Sequence, residues 1–299
     1  MLYDDLNFSR IRINDYREKK SALTAPVPFN VDYNEAGDRQ VASIQVWQYD
    51  LVYNAFSFTI AVMASATVFS FFGRSQVAPA YRTALTLTGL VTFIALYHYV
   101  RIFNSWDASF TVVSGQIKDS GIKFNDAYRY VDWLLTVPLL LIELILVMRL
   151  SPSETIAKST KLGLLAALMV VLGYPGEISE VNSTRWLWWV LAMLPFLVIV
   201  YDLFVGLSDA IAKQPASARG LVSLARYVTV ISWCFYPIVF IFPMIGFTGS
   251  RAITAVQVGY TVADIVAKAA FGVLIYMIAR RKSEAEGFVD GPGQLATAK

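Results

Sequence analysis

Residues 253–279 read ITAVQVGYTVADIVAKAAFGVLIYMIA, an apolar stretch long enough to cross a lipid bilayer as a helix. Two charged residues interrupt it, Asp264 and, four positions later, Lys268. Residues four apart lie on the same face of a helix, so this carboxylate and this amine are predicted to be neighbours. A lysine at membrane depth is costly and usually marks function. The stretch therefore predicts a membrane helix that carries a buried ion pair.

Six further apolar stretches indicate a membrane protein. Of the 299 residues, 56% are hydrophobic and only 16% are charged, which is less charge than a soluble domain carries. One stretch, at 162–173, is shorter than the ~20 residues that span a bilayer, but Thr160 and Tyr174 can extend it. We predict an all-α membrane protein, a bundle of seven transmembrane helices at Leu51–Phe72, Thr83–Phe103, Ala127–Met148, Leu162–Gly173, Trp186–Val205, Tyr227–Phe247 and Ile253–Ala279.

Charged residues are distributed unevenly between the two sides of this bundle. On one side the connections mix acidic and basic residues, and on the other they carry Arg74, Arg82, Arg149, Lys158, Lys161, Lys213, Arg219, Arg280, Arg281 and Lys282. The positive-inside rule places the second side in the cytoplasm, with the N-terminus outside the cell membrane and the C-terminus inside. Basic and aromatic residues are not interleaved in a patch, so nucleic acid is not a predicted partner.

Polar segments flank the predicted bundle. Residues 1–45 have mixed charges and two prolines, which predicts a flexible or loosely docked extracellular tail. Residues 46–282 form one transmembrane domain, and residues 283–299 form a disordered cytoplasmic tail. The longest connection joins the second and third helices, where Phe110–Val113 and Gln116–Lys118 flank a Ser-Gly pair and predict a small β-hairpin.

The third stretch carries a stripe of polar side chains. Asp132 and Glu143 are eleven residues apart, so both lie on one face, about 16 Å apart along the axis. Arg129 and Thr136 share that face. We expect Arg129 and a hydrogen bond from Thr136 to favour the ionised form of Asp132, and apolar surroundings to favour neutral Glu143. One carboxylate that accepts a proton and one that gives it form a relay. The alternative is a structural network of salt bridges and hydrogen bonds.

Three motifs closely resemble the helices of microbial rhodopsins. Their third, sixth and seventh helices are matched by RYVDWLLTVPLLLIE at 129–143, WCFYP at 233–237 and DIVAK at 264–268, the last with the retinal lysine. The likeness covers roughly Leu51 to Ala279. It looks closest to the proteorhodopsin and xanthorhodopsin-like branches, and the motifs that point to the second are Tyr97–Tyr99, Arg101–Asp107 and Gly173–Glu177.

The resemblance implies a light-driven outward proton pump, a transporter and not an enzyme. It implies all-trans retinal on Lys268 as a protonated Schiff base, with Asp132 and Asp264 as the counter-ions that a buried cation needs. Asp132 would accept the Schiff-base proton, and Glu143 would return one from the cytoplasmic side. Asp132, Thr136 and Glu143 are similar to the set in the family's proton pumps. Its sodium pumps carry Asn and Gln at the first and last positions, and its chloride pumps lack the first carboxylate.

The resemblance also assigns the retinal pocket and the one histidine. It implies a pocket lined by Trp133, Leu140, Trp189, Trp233, Tyr236, Pro237 and Phe240, although aromatic residues at such positions also occur as plain core. Leu140 implies green absorption, and Tyr236 would hydrogen-bond to Asp264. His98 would pair with Asp132, the alternative being a packed core histidine. A single histidine does not predict a metal site.

Trp189 departs from relatives that hold a carotenoid antenna. In those proteins a glycine at this position opens a window to the retinal ring. Trp188 and Trp189 fill it here, so we predict no carotenoid bound in that way. Glu177 and Glu180 either help to release protons or are ordinary solvated loop acids.

Two other functions remain open at this point. One is a photosensor that signals through a partner and transports little, although Glu143 argues against it. The other is a seven-helix receptor or transporter without a chromophore. The family's members form trimers or pentamers, so we expect a homo-oligomer in the bilayer.

Overall fold

The computed structural model describes residues 31–33, 39–41, 44–113 and 116–288. Within these residues, seven helices are long and apolar enough to span a membrane. They are α1 (Val46–Gln76), α2 (Pro79–Ala108), α3 (Ala127–Met148), α4 (Pro152–Glu177), α5 (Asn182–Gly206), α6 (Ala216–Ile245) and α7 (Gly249–Ala285). The predicted all-α bundle of seven membrane helices is therefore confirmed.

The predicted helix bounds are correct for α3, whereas the predicted starts of both α4 and α6 lie ten or more residues too late. The bounds of α3 agree with the prediction because its apolar run ends sharply at both sides. By contrast, α4 begins at Pro152, ten residues before the predicted start at Leu162. Its first turn is polar and is stabilised by a capping box, in which the backbone N–H of Glu154 donates to Ser151 Oγ (3.3 Å) and the Glu154 side chain accepts from the Ser151 backbone (3.2 Å).

The predicted hairpin lies between α2 and α3. Its strands are β3 (Phe110–Val113) and β4 (Gln116–Asp119), which pair antiparallel, and its two turn residues lie outside the described residues. In the predicted N-terminal tail, β1 (Val31–Tyr33) pairs antiparallel with β2 (Arg39–Val41), and most other residues of that tail lie outside the described ranges. We call the end of the bundle beside β3 and β4 the hairpin end.

The two helices with buried charges occupy the centre of the bundle. Consecutive helices from α1 to α5 pack as neighbours, and α7 packs against α1, α2, α3 and α6. The most apolar windows of α3 and α7 are 61% and 56% buried, more than those of the other five helices. Their polar side chains therefore face protein, as the cost of a charge in hydrocarbon requires.

The opposite end of the bundle is closed by Lys282. The residue is 4% exposed, and its ammonium donates to the carbonyls of Val147 (3.0 Å) and Met148 (2.8 Å) and to Gln214 Oε1 (2.7 Å). These bonds satisfy the last carbonyls of α3, where a helix favours a cation. Helix α7 also continues past its expected end. Ser283 was expected to be the first residue of the disordered tail, but it is helical and fully buried. Residues 289–299 lie outside the described part.

Candidate functional site

Lys268 lies between two carboxylates in the middle of the bundle. Its Nζ is 2.7 Å from Asp132 Oδ2 on α3 and 2.6 Å from Asp264 Oδ1, one turn earlier on α7. All three side chains are at most 2% exposed. A π-helical turn at Ile265–Ala270 contains Lys268, and such turns are frequent at functional sites. The arrangement gives one buried cation two anionic partners.

The two carboxylates are held very differently. Asp264 accepts hydrogen bonds from Tyr99 (2.7 Å to Oδ2), Tyr236 (2.8 Å to Oδ1) and the indole of Trp133 (3.4 Å to Oδ1). Asp132 Oδ1 has no hydrogen-bond partner among the described residues. Hydrogen bonds stabilise a carboxylate as an anion, so Asp264 is the fixed counter-ion and Asp132 is the better placed proton acceptor. The sequence predicted the bond from Tyr236 and missed the bond from Tyr99.

His98 and Thr136 lie close to Asp132 without bonding its carboxylate. His98 Nδ1 is 3.9 Å from Asp132 Oδ1, an ion-pair distance that is too long for a hydrogen bond, and 2.9 Å from the Ile94 carbonyl. Thr136 donates to the backbone carbonyl of Asp132 (2.8 Å), not to its side chain. The predicted Thr136–carboxylate bond is therefore wrong, because threonine in a helix commonly bonds the carbonyl one turn back.

Arg129 does not pair with Asp132, contrary to expectation. Its guanidinium donates to Gln257 Oε1 on α7 and, at 3.5 Å, to the hydroxyl of Tyr99 on α2. It also lies 5.4 Å from the ring centres of both Phe56 and Tyr260. The long side chain extends toward the hairpin end, where aromatic faces and amide oxygens stabilise a buried cation. Spacing along α3 could not reveal these partners, which come from α1, α2 and α7.

Glu143 is fully buried on the other side of Lys268 along α3. Thr88 on α2 donates to its Oε2 (2.8 Å), and its Oε1 has no partner within the described residues. Leu140, Leu141 and Leu144 of α3 surround this level of the bundle and are at most 2% exposed. The expected apolar environment of Glu143 is present. Its contact with Thr88 crosses between helices and was not predicted.

A mostly apolar cavity opens beside Lys268. A concave, apolar lining with a few polar groups is typical of sites for cofactors and other small molecules. All seven predicted positions line it, Trp133, Leu140, Trp189, Trp233, Tyr236, Pro237 and Phe240, together with Asp264 and the lysine itself. An apolar, aromatic cavity that ends at a buried primary amine fits a flat, unsaturated aldehyde that condenses with the amine. The residues present therefore fit retinal.

Trp189 closes the side of this cavity between α5 and α6. Its indole nitrogen donates to the carbonyl oxygen of Pro237 (3.0 Å), which fixes the plane of the ring. Trp186 packs edge-on against it, with ring centres 5.7 Å apart. Trp189 lines the cavity at the position where a glycine would leave an opening, whereas Trp188, which was also expected to fill it, is not among the lining residues.

A second charged group lies at the hairpin end. Glu177, at the end of α4, has a side chain only 14% exposed and lies 4.0 Å from Arg185 of α5, so it is not an ordinary solvated acid. Asp126 precedes α3, and burial raises its pKa to about 6 although the charge of Arg129 opposes the shift. No pattern in the sequence singled out Asp126.

Comparison with known proteins identifies the family. Residues 52–282 match the family model of bacteriorhodopsin-like proteins. The chain is a microbial rhodopsin. The green-light absorbing proteorhodopsin of the gamma-proteobacterium EBAC31A08 is 30% identical to this rhodopsin over 230 residues, which are 77% of this chain and 86% of the relative.

Two solved structures resemble this rhodopsin throughout the bundle. Xanthorhodopsin, described as a light-driven ion pump with dual chromophore, is 50% identical, with a TM-score of 0.80 over 84% of this chain and 100% of its own. Thermophilic rhodopsin is 44% identical, with a TM-score of 0.81 over 83% of this chain and 100% of its own. This rhodopsin is therefore a multi-pass membrane protein of the proteorhodopsin and xanthorhodopsin type.

Proposed function

We propose that this rhodopsin is a light-driven outward proton pump that uses all-trans retinal bound to Lys268. The observation that carries the proposal is the position of Lys268 Nζ, 2.7 Å from Asp132 at the end of an aromatic cavity. A second buried carboxylate, Glu143, lies on the other side of the amine along the same helix. Its relatives include green-light absorbing proteorhodopsins and an ion pump, and Leu140 in the cavity supports green absorption here.

Retinal, when bound, supplies a light-driven change of shape next to the nitrogen that carries the proton. The protein supplies the acceptor, because Asp132 has one oxygen at Nζ and the other without a hydrogen bond. Asp264 stays anionic, since Tyr99 and Tyr236 both donate hydrogen bonds to it. It therefore keeps the buried site from losing both counter-charges at once.

The proposed direction of proton transport rests on the positions of the acceptor, Asp132, and the donor, Glu143, along α3. Glu143 lies eleven residues beyond Asp132, toward the end closed by Lys282, and the buried residues between the two include Trp133, Val137 and Leu140. Arg129 lies three residues before Asp132, toward the hairpin end, where Asp126 and Glu177 lie. With the basic end in the cytoplasm, as the positive-inside rule places it, a proton enters through Glu143 and leaves at the hairpin end.

The rest of the proposal concerns partners. We propose that no carotenoid binds between α5 and α6, because the indole of Trp189 holds that space through its bond to Pro237. The protein would work as a homo-oligomer in the cell membrane, which rests on the family resemblance alone. Its N-terminus would face outward and its C-terminus the cytoplasm.

The test is illumination of cells that contain the protein, in unbuffered medium with added all-trans retinal. A pump that moves protons outward acidifies the medium, and a protonophore abolishes the signal. A photosensor gives a coloured protein without sustained acidification. Alkalinisation on illumination would contradict the proposed direction, and a chain that stays colourless would contradict the use of retinal.

A further inference from the structure

Arg226 on α6 is a partly buried cation to which the transport mechanism assigns no role. Its guanidinium carbon lies 5.0 Å from the ring centre of Phe204 on α5 and 5.4 Å from that of Tyr227. Its Nε is buried and has no hydrogen-bond partner among the described residues. Within the described residues, the guanidinium therefore lies in the seam between α5 and α6 against two aromatic rings.

No carboxylate within the described ranges lies at ion-pair distance from Arg226. Asp202, two residues before Phe204 on α5, is instead bound by Lys161 of α4, with 2.7 Å between Nζ and Oδ2. Lys158 of α4 is also engaged and donates to the Gly206 carbonyl (2.9 Å). The basic side chains of α4 thus have acceptors at this level, whereas the guanidinium of Arg226 has five donor N–H groups and no oxygen.

The depth of Arg226 makes this lack of an acceptor costly. Arg226 is seven residues before Trp233, which lines the cavity beside Lys268, so it lies about 10 Å from that level along the helix axis. Half of a bilayer's hydrocarbon core is about 15 Å thick. With the level of Lys268 taken as the centre of the bilayer, the backbone of Arg226 lies in the hydrocarbon of the leaflet at the Ala216 end of α6. Its guanidinium must then reach the headgroups of that leaflet.

The surface around Arg226 is suited to lipid chains. Leu224 (46%), Tyr227 (46%) and Ile231 (70%) on α6 are exposed, as is Val205 (55%) beside Phe204 on α5. These side chains offer apolar contact directly beside the guanidinium. A soluble anion would gain nothing from such a surface, whereas a phospholipid places a phosphate and an acyl chain together.

We propose that Arg226, Phe204 and Tyr227 form a binding site for the headgroup phosphate of an anionic phospholipid in the leaflet at the Ala216 end of α6. The planar guanidinium binds a phosphate through two parallel N–H···O bonds. The rings of Phe204 and Tyr227 hold the guanidinium in the seam. The negative net charge of the lipid balances a cation that the described residues leave without an anion. Basic pockets between membrane helices commonly bind such headgroups.

The test measures lipid retention by native mass spectrometry of the purified protein in mixed micelles of phosphatidylglycerol and phosphatidylcholine. The wild type should retain phosphatidylglycerol preferentially. Arg226→Gln should lower that preference at least about tenfold, the effect of losing one charge-assisted hydrogen bond. The matched control is Arg219→Gln, which removes the same charge from an exposed position on the same helix. Arg219→Gln should leave the preference unchanged.

Arg226→Lys provides a second variant that keeps the charge in case its removal prevents folding. It should retain less phosphatidylglycerol than the wild type, because an ammonium cannot bind a phosphate through a planar fork. The site is overturned if Arg226→Gln keeps the preference, if Arg226→Lys equals the wild type, or if Arg219→Gln loses as much. Displacement of the lipid by millimolar inorganic phosphate would assign the site to a free anion and contradict the proposal that it binds a lipid.

Discussion

Thr88 donates a hydrogen bond of 2.8 Å to Oε2 of Glu143, across the interface between α2 and α3. Glu143 is fully buried, and among the described residues no other side chain or backbone group bonds its carboxyl. The orientation of the proposed proton donor therefore depends on one threonine hydroxyl. The Thr88 hydroxyl also lies 3.2 Å from the Ala84 carbonyl oxygen, so its one proton is shared between that oxygen and the carboxyl of Glu143.

Thr88→Val should slow the return of the proton from Glu143. The change preserves shape and removes a bond worth ~1 kcal/mol, so recovery of the dark-state absorbance after a flash should be about fivefold slower. The colour should not change, because Thr88 does not line the cavity beside Lys268. Thr92→Val is the matched control, since Thr92 bonds Thr67 and not Glu143. Equal slowing in both variants would remove the positioning role of Thr88.

The two carboxylates of α3 should fail in different ways. Asp132→Asn removes the acceptor at Nζ and should abolish light-driven acidification, whereas Glu143→Gln removes the donor and should slow recovery of the dark state. Asp202→Asn, which loses only a bridge to Lys161, should pump normally. Acidification in suspension and flash photolysis measure the two effects. Normal pumping by Asp132→Asn would overturn its role as acceptor.

Replacing Trp189 should open the cavity toward the membrane. With a hydroxylated carotenoid added, the wild type should show no energy transfer to retinal, since the indole is held against Pro237. Trp189→Gly should gain that transfer in the excitation spectrum of retinal emission. Trp186→Gly, which removes the neighbouring indole but leaves the bond to Pro237, should not. Transfer in the wild type would show that the window is open despite Trp189.

The raised pKa of Asp126 should be detectable in the pH dependence of the protein's stability. Burial raises its pKa from 3.8 to about 6, so the folded protein binds this proton more tightly than the unfolded chain does. The stabilising contribution of the neutral form is complete below about pH 4 and is lost as the pH rises through about 6. Asp126→Asn mimics the neutral form. Its melting temperature should thus rise relative to that of the wild type as the pH passes 6.

Asp107→Asn provides the control for this titration. Asp107 lies at the same end of the bundle but accepts a bond from Tyr49 (2.9 Å) at an exposed position. Its difference in melting temperature from the wild type should not show the Asp126 step near pH 6. A difference between Asp126→Asn and the wild type that stays constant from pH 4 to 8 would contradict the raised pKa.

The sequence predicted the helices well where apolar residues alone define them. Helix α3 is an uninterrupted apolar run between polar residues, and its bounds were correct. Helix α4 begins with a polar turn whose stability comes from a cap, and the Ser-x-x-Glu pattern at Ser151 and Glu154 was the signal for it. From the sequence, Lys282 was interpreted as one of the basic residues at the cytoplasmic end. Its burial could not be predicted, because the carbonyls that accept its hydrogen bonds belong to α3, which is distant in sequence.

The sequence predicted which residues form the site better than it predicted the hydrogen bonds between them. The spacing of Asp264 and Lys268 predicted their contact correctly, since both lie on one helix one turn apart. Spacing paired Arg129 with Asp132 for the same reason and was wrong, because the guanidinium finds Gln257 and Tyr99 on neighbouring helices. Thr88 was missed likewise. Contacts within a helix follow from periodicity, whereas contacts between helices depend on packing that one sequence does not show.

The role of Lys268 is tested most directly by adding all-trans retinal to the purified apoprotein and recording the visible absorption. The wild type should become coloured, and so should Lys161→Ala, which lacks an amine on the surface of α4. Lys268→Ala should stay colourless, because the cavity would then contain no primary amine to hold the chromophore. A visible band in Lys268→Ala equal to that of the wild type would contradict the account.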